Sequence, residues 1–570
     1  MKASEARWGG GVTLLLFVFI FLPLLAVLVN VVFPGLFFGK LQYGGFGLAA
    51  EIFHRPLWRQ SLQNSVTLAL GAATLGTVIG GILATLRARW NFAAAKLLDL
   101  TAWVLLIAPS FMVAQGWVLF ASADGLVHQW LGWTWVTSFI FSPSGLIFVM
   151  ALSKFPLAYL AILAATEWNV RQFGHAAQLN GAKPFTVWRT IDLPLSRPSY
   201  LAGWTLVFMD TVGDFGLPAA LATVYKFPTL TYSIYSAIYQ SPVRFDMAGV
   251  LAFYLVLLLV CAMALLIFAV RHSRADFLNA RAVKAARSKP RHSWLYNLVT
   301  GVFLLVCLGI PIGTSAAVSL LKKTGDGLTP NNLTLGNYRD LFSAPAGDHR
   351  LLGYLEGLLH SLAIAAGAAV FSMLIGFVIA YVLTFTESRF KSALQLFSIV
   401  SLAVPGVVLG IGYIFIWNQK WLETVGLHLY GTPALLVIAG IAGAIPYAVR
   451  VQLGAFGNLS GTMLRAAAIQ GAGIFDRMRH IVLPLVRQSL LIATLASFGT
   501  SIFDLALASM LKPANYSLMP LVIDRAFEFS RYGYATAATV VSCGSVVLLI
   551  IMLQTAGRLW FRRLDRSGGK

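Results

Sequence analysis

Four ionisable side chains stand where such groups are expensive. Lys154, Asp210, Asp214 and Asp504 lie in or beside long apolar runs of this 570-residue chain. A charge at that depth faces protein or water rather than lipid, so it marks a structural pair or the route of something that crosses. Three carboxylates would suit a hard cation. Lys154 would pair with a carboxylate, meet an anion, or stretch its stem toward the membrane edge. At 1.5 Å per residue from Pro198, Asp214 sits ~24 Å along its helix, near the outer end. Helix-end solvation or a structural hydrogen bond competes with a path-lining role for Asp214 and Asp504, and both readings stand.

Other chemistry is missing its parts. Gly35-x-x-x-Gly39-Lys40-Leu41 falls one residue short of a phosphate loop and has no Ser or Thr after the lysine, so the chain is expected to carry no ATPase of its own. Cys261, Cys307 and Cys543 have neither disulfide nor metal spacing and read as packing residues. Catalytic residues, a cofactor and a resident metal are not expected.

The strongest signal is a stretch present twice. His175 to Pro198, HAAQLNGAKPFTVWRTIDLPLSRP, returns as Arg465 to Gln488, RAAAIQGAGIFDRMRHIVLPLVRQ. At one constant interval the pairs are Ala176/Ala466, Ala177/Ala467, Gly181/Gly471, Phe185/Phe475, Leu193/Leu483 and Pro194/Pro484. Both copies are polar, basic loops between apolar runs, as expected of a docking surface used twice. Gly181 and Gly471 suit a left-handed helix stop. Phe185 and Phe475 follow it, placed to plug a partner's pocket or to pack under their own loop. Burying ~100 Å² of ring would contribute roughly 2.5 kcal/mol, the scale of an interface anchor.

The pattern A-A-x-x-x-G-A-x-x-x-F-x-x-x-x-x-I-x-L-P resembles the EAA loop of ABC importer permeases. DFGLPAALA followed by FPTLTYSIYSAIY, and PSFMVAQGW, resemble the iron(III) branch of that family, whose pattern 2-aminoethylphosphonate and thiamine permeases largely share. Both copies depart at the first letter, with His175 and Arg465 in place of Glu. The resemblance implies two copies of a cytoplasmic ABC ATPase, one against each loop. It also implies a periplasmic or extracellular substrate-binding protein, and residence in a bacterial inner membrane. Ferric iron is the expected cargo, with 2-aminoethylphosphonate or thiamine as alternatives. Outside this class stand an ion-coupled secondary transporter, which would want buried ionisable pairs near the midplane, and a membrane scaffold or insertase.

These residues must be positioned by membrane helices. The chain is 58% hydrophobic and 11% charged, with a mean hydropathy of +0.77. Runs of about 20 apolar residues cross a bilayer. They fall at roughly 12–33, 62–86, 97–120, 141–165, 200–222 and 248–270, then 296–320, 358–385, 393–418, 432–455, 489–511 and 536–557. An all-α protein of about twelve spans in two pseudo-symmetric six-helix halves is expected. The halves are 1–270 and 294–570, with loops 175–198 and 465–488, joined by a basic cytoplasmic linker at 271–293. The repeat continues beyond the loops: Pro156 and Asp214 match Pro446 and Asp504 at the loops' own interval of 290, while NSVTLA matches HSLAIA and Pro109 matches Pro405 at 296, six residues being missing between the third and fourth spans of the second half. The prolines read equally as kinks or as shapers of a pathway.

The net charge of +21 raises the question of nucleic acid. With both termini cytoplasmic, however, most Lys and Arg fall on the inner side, which is the positive-inside bias of a polytopic protein. No nucleic-acid partner is needed; the bilayer itself and its anionic headgroups take that charge. Lys2 and Arg7 precede a first run too long for a cleaved leader, which reads as a retained helix.

Overall fold

The computed structural model describes residues 2–39, 43–166, 177–271, 289–343, 353–386, 388–401, 404–457, 459 and 461–567. Most of the joining segment 271–293 therefore lies outside the described residues, as do His175 and Ala176. What is described is helical, with one isolated β-bridge between Leu321 and Leu333. Among the described residues ten helices are long and apolar enough to cross a membrane. The protein is a polytopic all-α membrane protein.

Several of the twelve expected runs are divided rather than continuous. The run 200–222 is broken where helix Leu193–Gly213 stops at Asp214, whose ψ is 125°. The run 393–418 is split by Pro405 between Lys391–Val400 and Gly406–Trp417. Pro109 divides 97–120 in the same way, between Ala94–Ile107 and Ser110–Ala121. Both prolines have extended backbone, with ψ of 127° and 145°, and each starts a new helix. Pro156 and Pro446 instead lie inside the unbroken helices Pro143–Ala165 and Pro433–Phe456.

The helices form two compact units. One comprises residues 46–334; the other comprises residues 1–45 with 335–570. We call them the central unit and the terminal unit. Their boundaries do not follow the order of the repeat. The first apolar run, Gly9–Val32, packs with the helices of 335–570, and the run Ser293–Ser319 packs with those of 46–271. The first span of each repeat is thus built into the unit made mostly from the other repeat.

One local feature explains how these spans dock. Each carries a proline, Pro23 or Pro311, preceded by a π-helical turn, Phe17–Phe21 or Leu305–Gly309. Proline lacks the N–H that would bond the carbonyl four residues back. In the terminal unit the Tyr413 hydroxyl supplies the replacement, donating to the Phe19 carbonyl at 2.7 Å. Next to it, Gly412 lets the Pro23 backbone approach: a Cβ there would lie 2.5 Å from the Pro23 oxygen. Gly116 does the same in the central unit, where a Cβ would lie 2.4 Å from the Pro311 oxygen. Close backbone approach through small residues is the usual means of joining helices in lipid, where water provides no driving force between them.

This geometry predicts that Gly116→Ala and Gly412→Ala each lower stability by about 1–3 kcal/mol, the cost of overpacking a tight contact. Gly313, whose added Cβ would meet nothing within 4 Å, provides the control and should tolerate alanine. Thermal unfolding of the detergent-purified protein measures the difference; equal midpoints for all three variants would refute the contact.

Candidate functional site

The duplicated loops fold alike. In the first, residues 177–179 are helical, Gly181 has φ 84°, and helix Pro184–Val187 follows. In the second, helix Gly461–Ile469 ends before Gly471, at φ 89°, and Ile474–Arg477 follows. Two hydrogen bonds at each stop correspond. Gly181 N–H donates to the Gln178 carbonyl and Ala182 N–H to that of Ala177, both at 3.0 Å. Gly471 N–H donates to Ala468 at 3.1 Å and Ala472 N–H to Ala467 at 3.0 Å. This is the Schellman stop, in which a left-handed residue lets two amides close the last helical turn. Open space surrounds both glycines, so the requirement is for positive φ rather than for room.

After each stop comes a π-helical turn, Trp188–Asp192 or Met478–Val482, and then a long helix with Pro194 or Pro484 in its first turn. As at Pro23 and Pro311, the proline follows a π-turn and has no N–H to bond a carbonyl of the turn before it. Leu193 and Leu483 open those helices. Ala177 and Ala467 supply the carbonyls for the stop, while Ala466 and Arg465 are exposed on helix Gly461–Ile469.

The turns hold large apolar side chains in the open. Phe185 is 66% exposed and Phe475 67%. Both rings stand largely in the open, the Phe185 ring leaning on Trp188 of its own loop at 5.7 Å between centroids. Two further residues join them: Leu179 is 89% exposed and Ile469 87%. This pair occupies matched positions of the repeat, on the helix before the stop. Reading only identical letters missed it, although an apolar residue at the same place in two polar loops was a usable signal. Each loop therefore presents two apolar projections, one on each side of a rigid turn.

The buried charges gather in the central unit. Lys154 Nζ lies 2.7 Å from Asp210 Oδ2 and 2.7 Å from Asp214 Oδ2. The Asp214 side chain is 3% exposed and that of Asp210 45%. Asp214 is fully engaged: its Oδ1 also accepts from Ser110 Oγ at 2.9 Å and from the Leu217 amide at 3.0 Å. Asp504, in the terminal unit, accepts from the Leu507 amide at 2.9 Å and caps helix Leu505–Leu511. The in-register pair of aspartates thus shares one local task. Each caps the helix that restarts after a break, satisfying an amide that hydrocarbon would leave bare. Asp504 has no lysine counterpart, because Ala444 stands where Lys154 would be, and a cavity of about 30 Å³ lies against it. Of the four charges, the structure joins Lys154, Asp210 and Asp214 and leaves Asp504 apart.

Similarity to known proteins agrees with this architecture. Residues 355–562 match the family described as binding-protein-dependent transport system inner membrane component. The chain is 23% identical to the ferric transport system permease protein FbpB of Actinobacillus pleuropneumoniae, over 95% of this chain and 76% of that one. It is 30% identical to the molybdenum transport system permease protein ModB of Escherichia coli K12, over 32% of this chain and 79% of the relative. Duplicated loop, helical fold and matched relatives converge: the chain belongs to the family of binding-protein-dependent transport system inner membrane components.

Proposed function

We propose that this chain is the permease subunit of an ATP-driven importer of ferric iron, in which loops 175–198 and 465–488 each seat on a cytoplasmic ATPase. The observation that carries the coupling reading is the matched pair of stops with Phe185, Phe475, Leu179 and Ile469 standing in the open. Polar loops do not keep four large apolar side chains exposed at repeated positions without a surface to cover them. The cargo reaches the membrane on an external binding protein, as the family description implies. ATP binding and hydrolysis in the partners drive the helices through the two turns.

The cargo reading rests on the ferric relative, which matches nearly the whole chain. Lys154 no longer argues for an anion, since its ammonium is held between two carboxylates. The same contacts remove Asp214 from the set of free cation ligands, which leaves Asp210 half open to solvent. Among the described residues no three His, Cys, Asp or Glu side chains converge, so the choice of iron draws no support from a ligand cluster.

Three measurements test this. Gly181→Val and Gly471→Val should each abolish uptake while leaving the protein inserted, because a β-branched side chain is penalised at positive φ; wild-type uptake in either would show that its turn is dispensable. Lys154→Met should lower the amount of folded protein rather than alter cargo choice, because an unpaired buried Asp214 costs about 3–5 kcal/mol; a variant of normal abundance with changed selectivity would return Lys154 to the path. Uptake of radiolabelled iron under iron limitation should fall in cells lacking the gene. Unchanged iron uptake with lost molybdate or 2-aminoethylphosphonate uptake would overturn the cargo, and failure of any ATPase to co-purify would favour a secondary transporter.

A further inference from the structure

The two turns match, but the joints behind them do not. In the central unit, helix Pro56–Arg89 ends at Arg89, whose guanidinium donates to Asp192 Oδ2. Asp192 closes the π-turn that follows the first stop. The side chains are 35% and 17% exposed, so the pair is partly shielded yet within reach of salt.

The matched positions of the terminal unit carry apolar side chains instead. The counterparts by register are Phe385, which ends helix Tyr354–Phe385, and Val482, which closes the π-turn Met478–Val482. Val482 is completely buried in a cluster with Phe377, Tyr381 and Phe456, and Phe385 packs against that cluster. The Phe385 and Phe456 ring centroids are 5.8 Å apart. One joint is an ion pair and the other is an apolar contact, at equivalent places on equivalent elements.

These chemistries answer differently to the solution. Ionic screening weakens an exposed ion pair. Apolar burial is not weakened by salt, and excluded salts strengthen it. We propose that Arg89 and Asp192 form a charge latch that positions the first coupling loop, so that the two loops transmit through unlike joints and the first loosens as ionic strength rises. The inference rests on the coupling reading for its consequence, but not for the latch itself. Arg89 and Asp192 are positioning residues that act through the loop.

The test separates the two. Nitroxide labels are placed at exposed Thr186→Cys in the first loop or Asp476→Cys in the second, in the purified full-length permease without partners. The mobile fraction at 186 should rise about two- to fivefold in Asp192→Asn, the effect of losing an ion pair of this exposure. It should rise similarly in the unaltered joint between about 50 and 500 mM salt, where the Debye length falls to a few ångströms. The label at 476 should not respond to Asp192→Asn. Arg89→Asp with Asp192→Arg should restore order at 186. Arg89→Phe with Asp192→Val, which gives the first joint the second joint's chemistry, should remove the salt response.

An unchanged signal at 186 in Asp192→Asn, or an undiminished salt response in the Phe/Val variant, overturns the latch. In the complex with its ATPase, Asp192→Asn should reduce transport-coupled ATP hydrolysis about two- to fivefold. Altered mobility with unaltered hydrolysis overturns the latch's part in coupling. If no ATPase binds the unmodified permease, the docking reading fails, and the label experiment still decides the latch.

Discussion

Hydrocarbon does not solvate backbone amides or carbonyls, and the points where this chain interrupts its helices follow from that constraint. Several interruptions are met by a specific partner. Asp214 and Asp504 accept amides where helices restart. The Tyr413 hydroxyl reaches the Phe19 carbonyl that Pro23 deprives of its usual donor. The Thr231 hydroxyl reaches the Asp214 carbonyl itself. A permease needs breaks in its helices, because uninterrupted rods leave few polar groups for a path. The side chains that make those breaks tolerable are therefore the ones most easily mistaken for cargo ligands. Asp214, with its carboxylate shared among a lysine, a hydroxyl and an amide, shows how complete that structural occupation is.

The two repeats solve equal problems with different chemistry. In the central unit Arg87, Asp99 and Tyr159 form a network, with Arg87 2.7 Å and Tyr159 2.6 Å from the carboxylate. The matched positions are Leu383, Gln395 and Val449. Lys154 and Asp210 correspond to Ala444 and Thr500, and Arg89 and Asp192 to Phe385 and Val482. Replacing a whole buried ion pair by packed apolar groups costs little, whereas removing one member strands the other. At the matched positions both members of each pair are absent, so no charge is stranded. Asp504 stands without a lysine opposite it and caps a helix instead.

The loops show the opposite tendency. Their stops agree in dihedral angle, in hydrogen bonding and in the exposure of the residues on either side. Interior contacts can drift as compensated pairs because each pair answers only to itself. On the docking reading proposed above, an exposed turn has no such freedom, since its shape must match something outside the chain.

Much of this was legible along the chain. Apolar run length marks spans, and a glycine after a short helix marks a stop; each depends on neighbours a few residues apart. The duplication and the loop glycines were visible in that way; whether Phe185 and Phe475 stand free or pack was not. Partners were not. A helix apolar on all sides carries no stripe that names its neighbour, so the exchange of first spans between units was invisible until Gly116 and Gly412 met Pro311 and Pro23. The same holds for Lys154. Its three possible fates differ only in what lies within about 3 Å of one nitrogen, and that is decided by the packing of Pro143–Ala165 against Leu193–Gly213, not by either sequence alone.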